Sequence, residues 1–243
     1  MASSSINSSK NVSIRPERTD RSREIRKCLS PSAEVKPSQG HGRRMPLLLD
    51  FYARDTVQVA CGLLGKLLEV KDRSGSAMGR IVETEAYAGN EDAGSHWHLG
   101  ETPRSKIAFG DPGHAYVYLI YGNYEMLNIV TERRGTPGAV LLRALEPIEG
   151  VERMARRRKG VPVVEIANGP GKLCRALGIR MSDNGVAVDG SRIRLYSDGY
   201  LPLRILASPR VGLTRGAEIP WRFFIESNPH VSKSPLNRRA VPL

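Results

Sequence analysis

The stretch Tyr116-Val-Tyr118-Leu-Ile-Tyr121-Gly-Asn-Tyr124 holds four of the eight tyrosines of this 243-residue chain. Alternating aromatic and aliphatic residues favour a β-strand, and Gly122-Asn123 is typical of a two-residue hairpin turn. The segment Asn128-Ile-Val130 then predicts the returning strand. We therefore expect a protruding β-hairpin with Tyr121 at its tip.

The charge of the chain bears on what this hairpin could bind. The formal net charge is +12, and an excess of this sign attracts polyanions, either nucleic acids or anionic surfaces. An aromatic side chain on a rigid tip of a basic protein could enter a base stack. For the hairpin taken alone, an ordinary aromatic sheet face is the simpler interpretation, because aromatic residues favour strands in general.

Two regions of different composition divide the chain. Residues 1–44 carry ten Lys or Arg and four Asp or Glu with few large apolar groups, which predicts a disordered basic tail. Residues 45–243 are predicted to form one folded domain, and Met45 is a candidate start of the natural protein. No apolar run approaches the roughly 20 residues that span a bilayer. The three cysteines lie far apart and suggest reduced thiols.

The patterning of residues 45–243 predicts an α+β fold: a single domain with a mostly antiparallel curved sheet, surrounding helices and the protruding hairpin. A long loop is expected over 88–112. Helices are expected near 55–64, from Pro147 to about Arg157, and from about Gly171. The other expected strands are 66–70 and 77–86, which form a hairpin around Asp72–Gly75, then 139–144, 186–206 and 221–226.

One predicted strand carries chemically interesting side chains into the long loop. Glu83, Glu85 and Tyr87 alternate, so they share a face, with the two carboxylates about 7 Å apart. Such a pair could act on a glycosidic bond, or one carboxylate could simply face solvent or pair with an arginine. Tyr87 and His96 could together sandwich a flat ring. The segment from Gly169 to Lys172 fails the Walker A pattern, yet its helix amides and Lys172 could contact a DNA phosphate.

Three sets of motifs resemble one family, the alkyladenine (3-methyladenine) DNA glycosylases. The resemblance runs in order from about residue 46 to residue 232. The matching segments are 80–87 with His96 and 102–104, then 116–128 and 140–147, then 168–174 with 209–212 and 220–223.

The resemblance implies a role for each matched residue. Glu85 matches the general base that activates a water, which Arg143 and the backbone carbonyl of Val211 also hold. Tyr121 matches the residue that intercalates into DNA in place of the flipped nucleotide. The expected base pocket consists of Tyr87, His96, Tyr118 and Asn128, where Asn128 crowds the exocyclic amine of normal guanine. The expected contacts to the DNA backbone are Lys172, Arg104 and Arg210. Glu83 is expected to be structural, and Tyr116 and Tyr124 are expected to pack the hairpin.

The implied activity is that of a monofunctional DNA-3-methyladenine glycosylase. It would excise alkylated or deaminated purines from double-stranded DNA and leave an abasic site, without lyase activity, because no lysine occupies a matched position. No metal or cofactor, no membrane and no obligate protein partner are implied, and a monomer is expected. The expected location is the cytoplasm and nucleoid of a bacterium, or the nucleus or an organelle of a eukaryote. The alternatives are a non-catalytic nucleic-acid-binding module and an enzyme acting on small glycosides, which the charge and hairpin disfavour.

Overall fold

A computed structural model describes residues 42–243, and in it ten strands form one open, curved antiparallel sheet. The strands are β1 (Met45–Pro46), β2 (Leu67–Asp72), β3 (Gly75–Ala88), β4 (Ala115–Ile120), β5 (Tyr124–Val130), β6 (Gly138–Glu149), β7 (Ile193–Ser197), β8 (Ile205–Ser208), β9 (Arg222–Ile225) and β10 (Val241–Pro242). The helices are α1 (Leu49–Tyr52), α2 (Thr56–Leu63), α3 (Val151–Arg157) and α4 (Pro170–Leu177), with 3-10 turns at Lys106–Phe109, Val163–Glu165, Met181–Asp183 and Pro235–Arg239. The predicted α+β class is confirmed.

The two longest strands lie at the centre of the sheet. The strand order is β1-β7-β2-β3-β6-β5-β4, and β9 joins the edge of β3 and continues into β8 and β10. Strands β3 and β6 have 14 and 12 residues and are buried over most of their length. Glu83 and Glu85 therefore lie where β3 is paired on both sides, with β6 and with β9.

The two faces of β3 meet different surroundings. Val82 and Ala86 pack in the main core with α2 and α4, and the Thr84 hydroxyl donates to the Ala60 carbonyl at 2.9 Å. Asp55 starts α2 as predicted, since its side chain accepts a hydrogen bond from the Gln58 amide. Because side chains alternate along a strand, Glu83, Glu85 and Tyr87 point away from these helices.

The predicted helix start at Pro147 is wrong. Pro147 lies in β6 opposite Gly79, next to a register shift in the β3–β6 pairing. A proline is tolerated at such an irregularity because its missing amide removes no regular ladder hydrogen bond. The helix α3 instead begins at Val151, after Gly150 turns the chain with a φ of 68°.

The tyrosine hairpin forms, but its turn differs by one residue from the prediction. Ile120 pairs with Tyr124, which leaves a loop of residues 121–123. The central residues of the turn are Tyr121 (φ 49°) and Gly122 (φ 72°), and the Asn123 amide donates to the Ile120 carbonyl at 3.2 Å. A tyrosine in the left-handed region costs roughly 1–2 kcal/mol. This conformation places Tyr121 at the tip, with 89% of its surface exposed.

The predicted disordered tail lies almost entirely outside the described residues. Only residues 42–44 of it are described, and there the Arg44 guanidinium pairs with Glu149 at the end of β6. Within residues 42–243 no helix is both long enough and apolar enough to span a membrane.

Candidate active site

Strand register brings the predicted site residues onto one face of the sheet. Glu85 and Asn128 both lie opposite Leu141 on β6, and Tyr116 lies opposite Asn128. Directly paired residues point to the same face. A continuous row therefore crosses β3, β6, β5 and β4, although its members are distant in sequence.

Glu85 is fully buried and is held by two hydrogen-bond donors and one ion pair. Its Oε1 accepts a hydrogen bond from the Val211 amide at 2.7 Å, and its Oε2 accepts one from the Tyr87 hydroxyl at 2.9 Å. The Arg143 Nη1 lies 3.2 Å from Oε2. These contacts fix the carboxylate, and a carboxylate still has lone pairs that could accept from a further donor such as a water.

Behind Glu85, a second buried carboxylate positions Arg143. The Oε1 of Glu83 accepts from the Nε atoms of Arg143 and Arg222, each at 2.7 Å, and from the Ser232 hydroxyl at 2.8 Å. The Ser232 amide donates to Oε2 at 2.8 Å. Burial opposes ionisation of Glu83, but Arg143 and Arg222 outweigh it and lower its pKa. Arg143 is thus clamped between two carboxylates, which raise its own pKa despite its burial.

An aromatic pocket opens beside this network. It is lined by Tyr87, Gly94, His96, Trp97, Tyr116, Tyr118, Asn128 and Leu213. The His96 and Tyr118 rings meet edge to face with centroids 4.5 Å apart, and Tyr116 lies 5.2 Å from Tyr118. The walls therefore present aromatic faces and edges to any flat ring that enters.

His96 contributes a neutral ring to the pocket. Its Nδ1 lies 2.8 Å from the Tyr116 hydroxyl. Burial lowers the pKa of His96 to about 4, and the positive charge of Arg104 acts in the same direction. At neutral pH the imidazole is uncharged, so it does not repel a positively charged ligand in the pocket.

The two residues that follow His96 in the sequence, Trp97 and His98, lie in different surroundings. Trp97 lines the pocket but is itself almost fully buried, and its Nε1 donates to the Gly89 carbonyl at 2.9 Å. The Nδ1 of His98 lies 3.2 Å from the Asn90 carbonyl, and His98 is not among the lining residues. His96 and Trp97 therefore both belong to the wall, while Trp97 also anchors the loop.

Three lining residues, Gly94, Trp97 and Leu213, were not predicted from the sequence, and the role expected of Tyr116 was wrong. Tyr116 was expected only to pack the hairpin, whereas it lines the pocket and contacts His96. Its spacing of two from Tyr118 was the available signal, because such residues share a strand face. Gly94 and Leu213 lie in loops and carried no signal of their own. Tyr124 does pack, since its ring lies against Gly171 of α4.

The three predicted contacts to the DNA backbone differ in their surroundings. Arg104 is exposed beside the hairpin, with its guanidinium 4.9 Å from the Tyr118 ring centroid. Lys172 is exposed in the first turn of α4, where its Nζ donates to Asn168 at 2.8 Å. Arg210 is 1% exposed and is paired with the buried Asp92. We therefore withdraw Arg210 as a phosphate contact, because its guanidinium lies inside the protein.

Possible metal ligands do not cluster among the residues that the structure describes. In the part of the chain from residue 42 onward, no group of three or more His, Cys, Asp or Glu side chains is placed to hold a metal ion. What the described geometry offers is a buried, oriented carboxylate next to an aromatic pocket.

Comparisons with known proteins point to one family. The family model described as methylpurine-DNA glycosylase matches residues 50–229. A protein of Methanocella arvoryzae named "Putative 3-methyladenine DNA glycosylase" is 50% identical over 194 residues, covering 78% of this chain and 97% of its own. Proteins of the same name from Prosthecochloris aestuarii and Alkaliphilus oremlandii are 44% and 41% identical. Each alignment covers 78% of this chain, and 93% and 100% of theirs.

Proposed function

The chain belongs to the methylpurine-DNA glycosylase family, and from this premise we propose that it excises alkylated or deaminated purines from duplex DNA by hydrolysing the N-glycosidic bond. The substrates would be of the 3-methyladenine, 7-methylguanine and hypoxanthine type, and the product an abasic site. The observation that supports this most is the fully buried Glu85, held by two hydrogen bonds and an ion pair beside an aromatic pocket.

The first step would bring the damaged base into the pocket. A base inside the duplex is out of reach, so it must rotate out at a cost of a few kcal/mol. Stacking against Tyr87, His96 and Tyr118 would return roughly 1–3 kcal/mol per aromatic contact. An alkylated purine carries positive charge and is attracted to electron-rich ring faces. The neutral His96 adds no opposing charge.

The second step would be attack of a water on the sugar C1′. For a positively charged alkylated purine, Glu85 accepts a proton from the water, the oxygen bonds to C1′, and the bond to the base breaks as its electron pair neutralises the positive ring. A neutral purine such as hypoxanthine would in addition need a proton from a general acid as it leaves. Arg143 and the Val211 carbonyl are proposed to orient the water. The Val211 amide already donates a hydrogen bond to Glu85. This hydrogen bond fixes the orientation of the Glu85 carboxylate, which is the general base that receives the proton.

Asn128 is proposed to discriminate against normal guanine. It is 3% exposed, and its Nδ2 donates to the Tyr116 carbonyl at 3.1 Å. A side chain held this way cannot swing aside easily. An exocyclic amine on the entering base would therefore meet a fixed amide, which disfavours unmodified guanine.

The reaction is proposed to stop at hydrolysis. Among the described residues, no lysine lines the pocket, and an amine nucleophile would be needed for a Schiff base and strand cleavage. The protein is proposed to act as a monomer on DNA, in the bacterial cytoplasm and nucleoid or in the nucleus or an organelle of a eukaryote.

The test of this function is release of free base. The protein is incubated with duplex DNA that contains one hypoxanthine, or with duplex DNA freshly methylated by dimethyl sulfate, and the released base is quantified by mass spectrometry. Release from lesion DNA, with none from undamaged duplex, supports the proposal. Binding of lesion DNA without release would support the second candidate, a non-catalytic binding module based on the hairpin and the basic surface.

Changing Tyr121 to Asn should weaken function and strengthen the fold. Asparagine tolerates a positive φ, so relief of strain should raise the free energy of unfolding by about 0.5–1 kcal/mol. Loss of the intercalating ring should slow excision from duplex about tenfold or more, and excision from a single strand much less. Urea denaturation and excision rates on both substrates check the two parts.

Tyr124 provides the matched control for Tyr121, because it lies in the same hairpin but packs on α4. Tyr124→Asn should lower stability and leave the ratio of duplex to single-strand rates unchanged. Equal losses on duplex and single strand for Tyr121→Asn would contradict an intercalating role.

A further inference from the structure

We propose that the buried pair of Arg210 and Asp92 is a positioning pair, which holds the Glu85 carboxylate and the Tyr87 wall in their working geometry. This inference rests on the proposed function, since it assigns Glu85 and Tyr87 the roles given above. It replaces the phosphate contact first expected of Arg210.

Asp92 ties the guanidinium to the long loop that follows β3. Each carboxylate oxygen of Asp92 accepts a hydrogen bond from one Nη atom of Arg210, in both cases at 2.6 Å. Both side chains are fully buried. The same carboxylate also accepts hydrogen bonds from the Ala88 amide at 3.2 Å and from the Gly94 amide at 3.0 Å. Asp92 therefore fixes the end of β3 and the part of the loop that enters the pocket wall.

Arg210 in turn contacts the catalytic strand itself. Its Nη1 donates to the Ala86 carbonyl at 2.9 Å, and Ala86 is the residue between Glu85 and Tyr87. Its guanidinium lies 4.7 Å from the Tyr87 ring centroid and 5.4 Å from that of Trp221. The Arg210 guanidinium thus packs against the ring of Tyr87, and the hydroxyl of Tyr87 donates a hydrogen bond to Glu85.

The third element held by the pair is the loop after β8. Val211 follows Arg210 in the chain, and its amide donates to Glu85 at 2.7 Å. Leu213 of the same loop lines the pocket, and the Arg210 Nη2 donates to the Gly216 carbonyl at 3.2 Å. Displacement of the guanidinium would therefore shift a donor to Glu85 and a wall of the pocket together.

The packing around the pair leaves little room for rearrangement. A Cβ added to Gly94 would lie 2.8 Å from the Arg210 Nη2 and 2.7 Å from Leu213. A shorter side chain at position 210 cannot supply the same fork of donors, because lysine is a single point charge. Arg210→Lys should keep the charge but lose both the bidentate contact and the ring stacking.

The chain contains a closely matched ion pair at the other end of the same strand. Arg80 on β3 makes a bidentate contact to Asp198 at 3.1 and 2.8 Å, and both side chains are almost fully buried. Arg80 also donates to the Gly65 carbonyl and lies 4.2 Å from the Tyr200 ring centroid. Arg80→Lys therefore removes the same kind of interaction without touching the pocket.

The experiment compares Arg210→Lys with Arg80→Lys in the full chain. Thermal melts define a temperature at which both variants are folded, and single-turnover excision and DNA affinity are measured there. For Arg210→Lys we expect excision to slow about 100-fold, because small misplacements of reacting groups have effects of this size. We expect its affinity for undamaged duplex to change by less than about threefold, because the exposed hairpin and Lys172 are untouched. Arg80→Lys should excise at the wild-type rate.

A milder variant covers the case in which Arg210→Lys does not fold. Asp92→Asn keeps the volume of the side chain and one carbonyl oxygen, and we expect it to slow excision about tenfold. If the two residues act as one unit, the double variant should be no slower than the slower single variant, because losses within a unit are not additive.

Each outcome separates this inference from the proposed function. An active wild type with Arg210→Lys and Asp92→Asn both within threefold of its rate would overturn the positioning role alone. Equal slowing by Arg80→Lys would also overturn it, since the effect would then be general destabilisation. A wild type that releases no base would remove the proposed function, and the positioning role with it.

Discussion

Replacement of Glu85 by Gln is expected to lower the excision rate by about 10³-fold, in the middle of the range for loss of a general base. Glutamine has nearly the same shape as glutamate, and its carbonyl oxygen can still accept the Val211 amide hydrogen bond. It cannot accept a proton from water at neutral pH, because an amide is a very weak base. The expected result is therefore a loss of chemistry with affinity for lesion DNA retained.

Glu69 provides the control for Glu85→Gln. Its Oε2 accepts a hydrogen bond from the Tyr196 hydroxyl at 2.9 Å, which is the same kind of contact that Glu85 makes with Tyr87, but on the β2 and β7 strands. Glu69→Gln should excise at the wild-type rate. Glu85→Gln with a rate within about tenfold of wild type would place the general base elsewhere, since loss of such a base costs more.

Replacement of Arg143 by Met is expected to lower the free energy of unfolding by about 3–5 kcal/mol, the usual cost of removing one partner from a buried ion network. The network joins Glu83 and Glu85 to Arg143 and Arg222. Without Arg143, Glu83 would keep its contact with Arg222, and the buried Glu85 would lose its ion pair. Such a loss is a large part of the 5–15 kcal/mol that stabilises a typical domain.

The pH dependence of this loss has a definite sign. In the wild type the pKa of Glu83 is lowered, so ionised Glu83 contributes stability above the ordinary pKa of a glutamate and loses it as the pH falls through the lowered value. In Arg143→Met one lowering charge is absent, and burial then raises the pKa of Glu83 relative to wild type. The difference in stability between the two proteins should therefore shrink as the pH falls.

Urea denaturation of three variants checks this account. Arg143→Met combined with Glu83→Gln should be more stable than Arg143→Met alone, because the surplus charge is removed. Arg134→Met breaks an exposed pair with Asp111 and should lower the free energy of unfolding far less, because solvent screens an exposed ion pair. A loss for Arg143→Met no greater than that for Arg134→Met would show that the buried network contributes little to stability.

The sequence alone determined the features that depend on local period and turn chemistry. Alternation along 80–87 put Glu83, Glu85 and Tyr87 on one face, and the tyrosine pattern of 116–124 produced a hairpin with Tyr121 at its tip. Asp55 was identified as an N-cap because it precedes an apolar helical pattern and needs only neighbouring amides. Such features depend on residues within a few positions of each other, so the order of residues is enough to specify them.

The tertiary structure decided which distant groups meet. Arg210 looks like a surface cation in the sequence, yet it is buried because Asp92 of another loop reaches it with both oxygens. Tyr116 becomes part of the pocket because the sheet order β3-β6-β5-β4 puts its strand, β4, on the same sheet face as β3 and three positions away from it. The Val211 amide reaches Glu85 only when the loop after β8 folds back. Contacts of this kind depend on sheet register and long-range packing. Neither the hydrophobic period nor the residue type of a short segment specifies which distant residue will lie beside it.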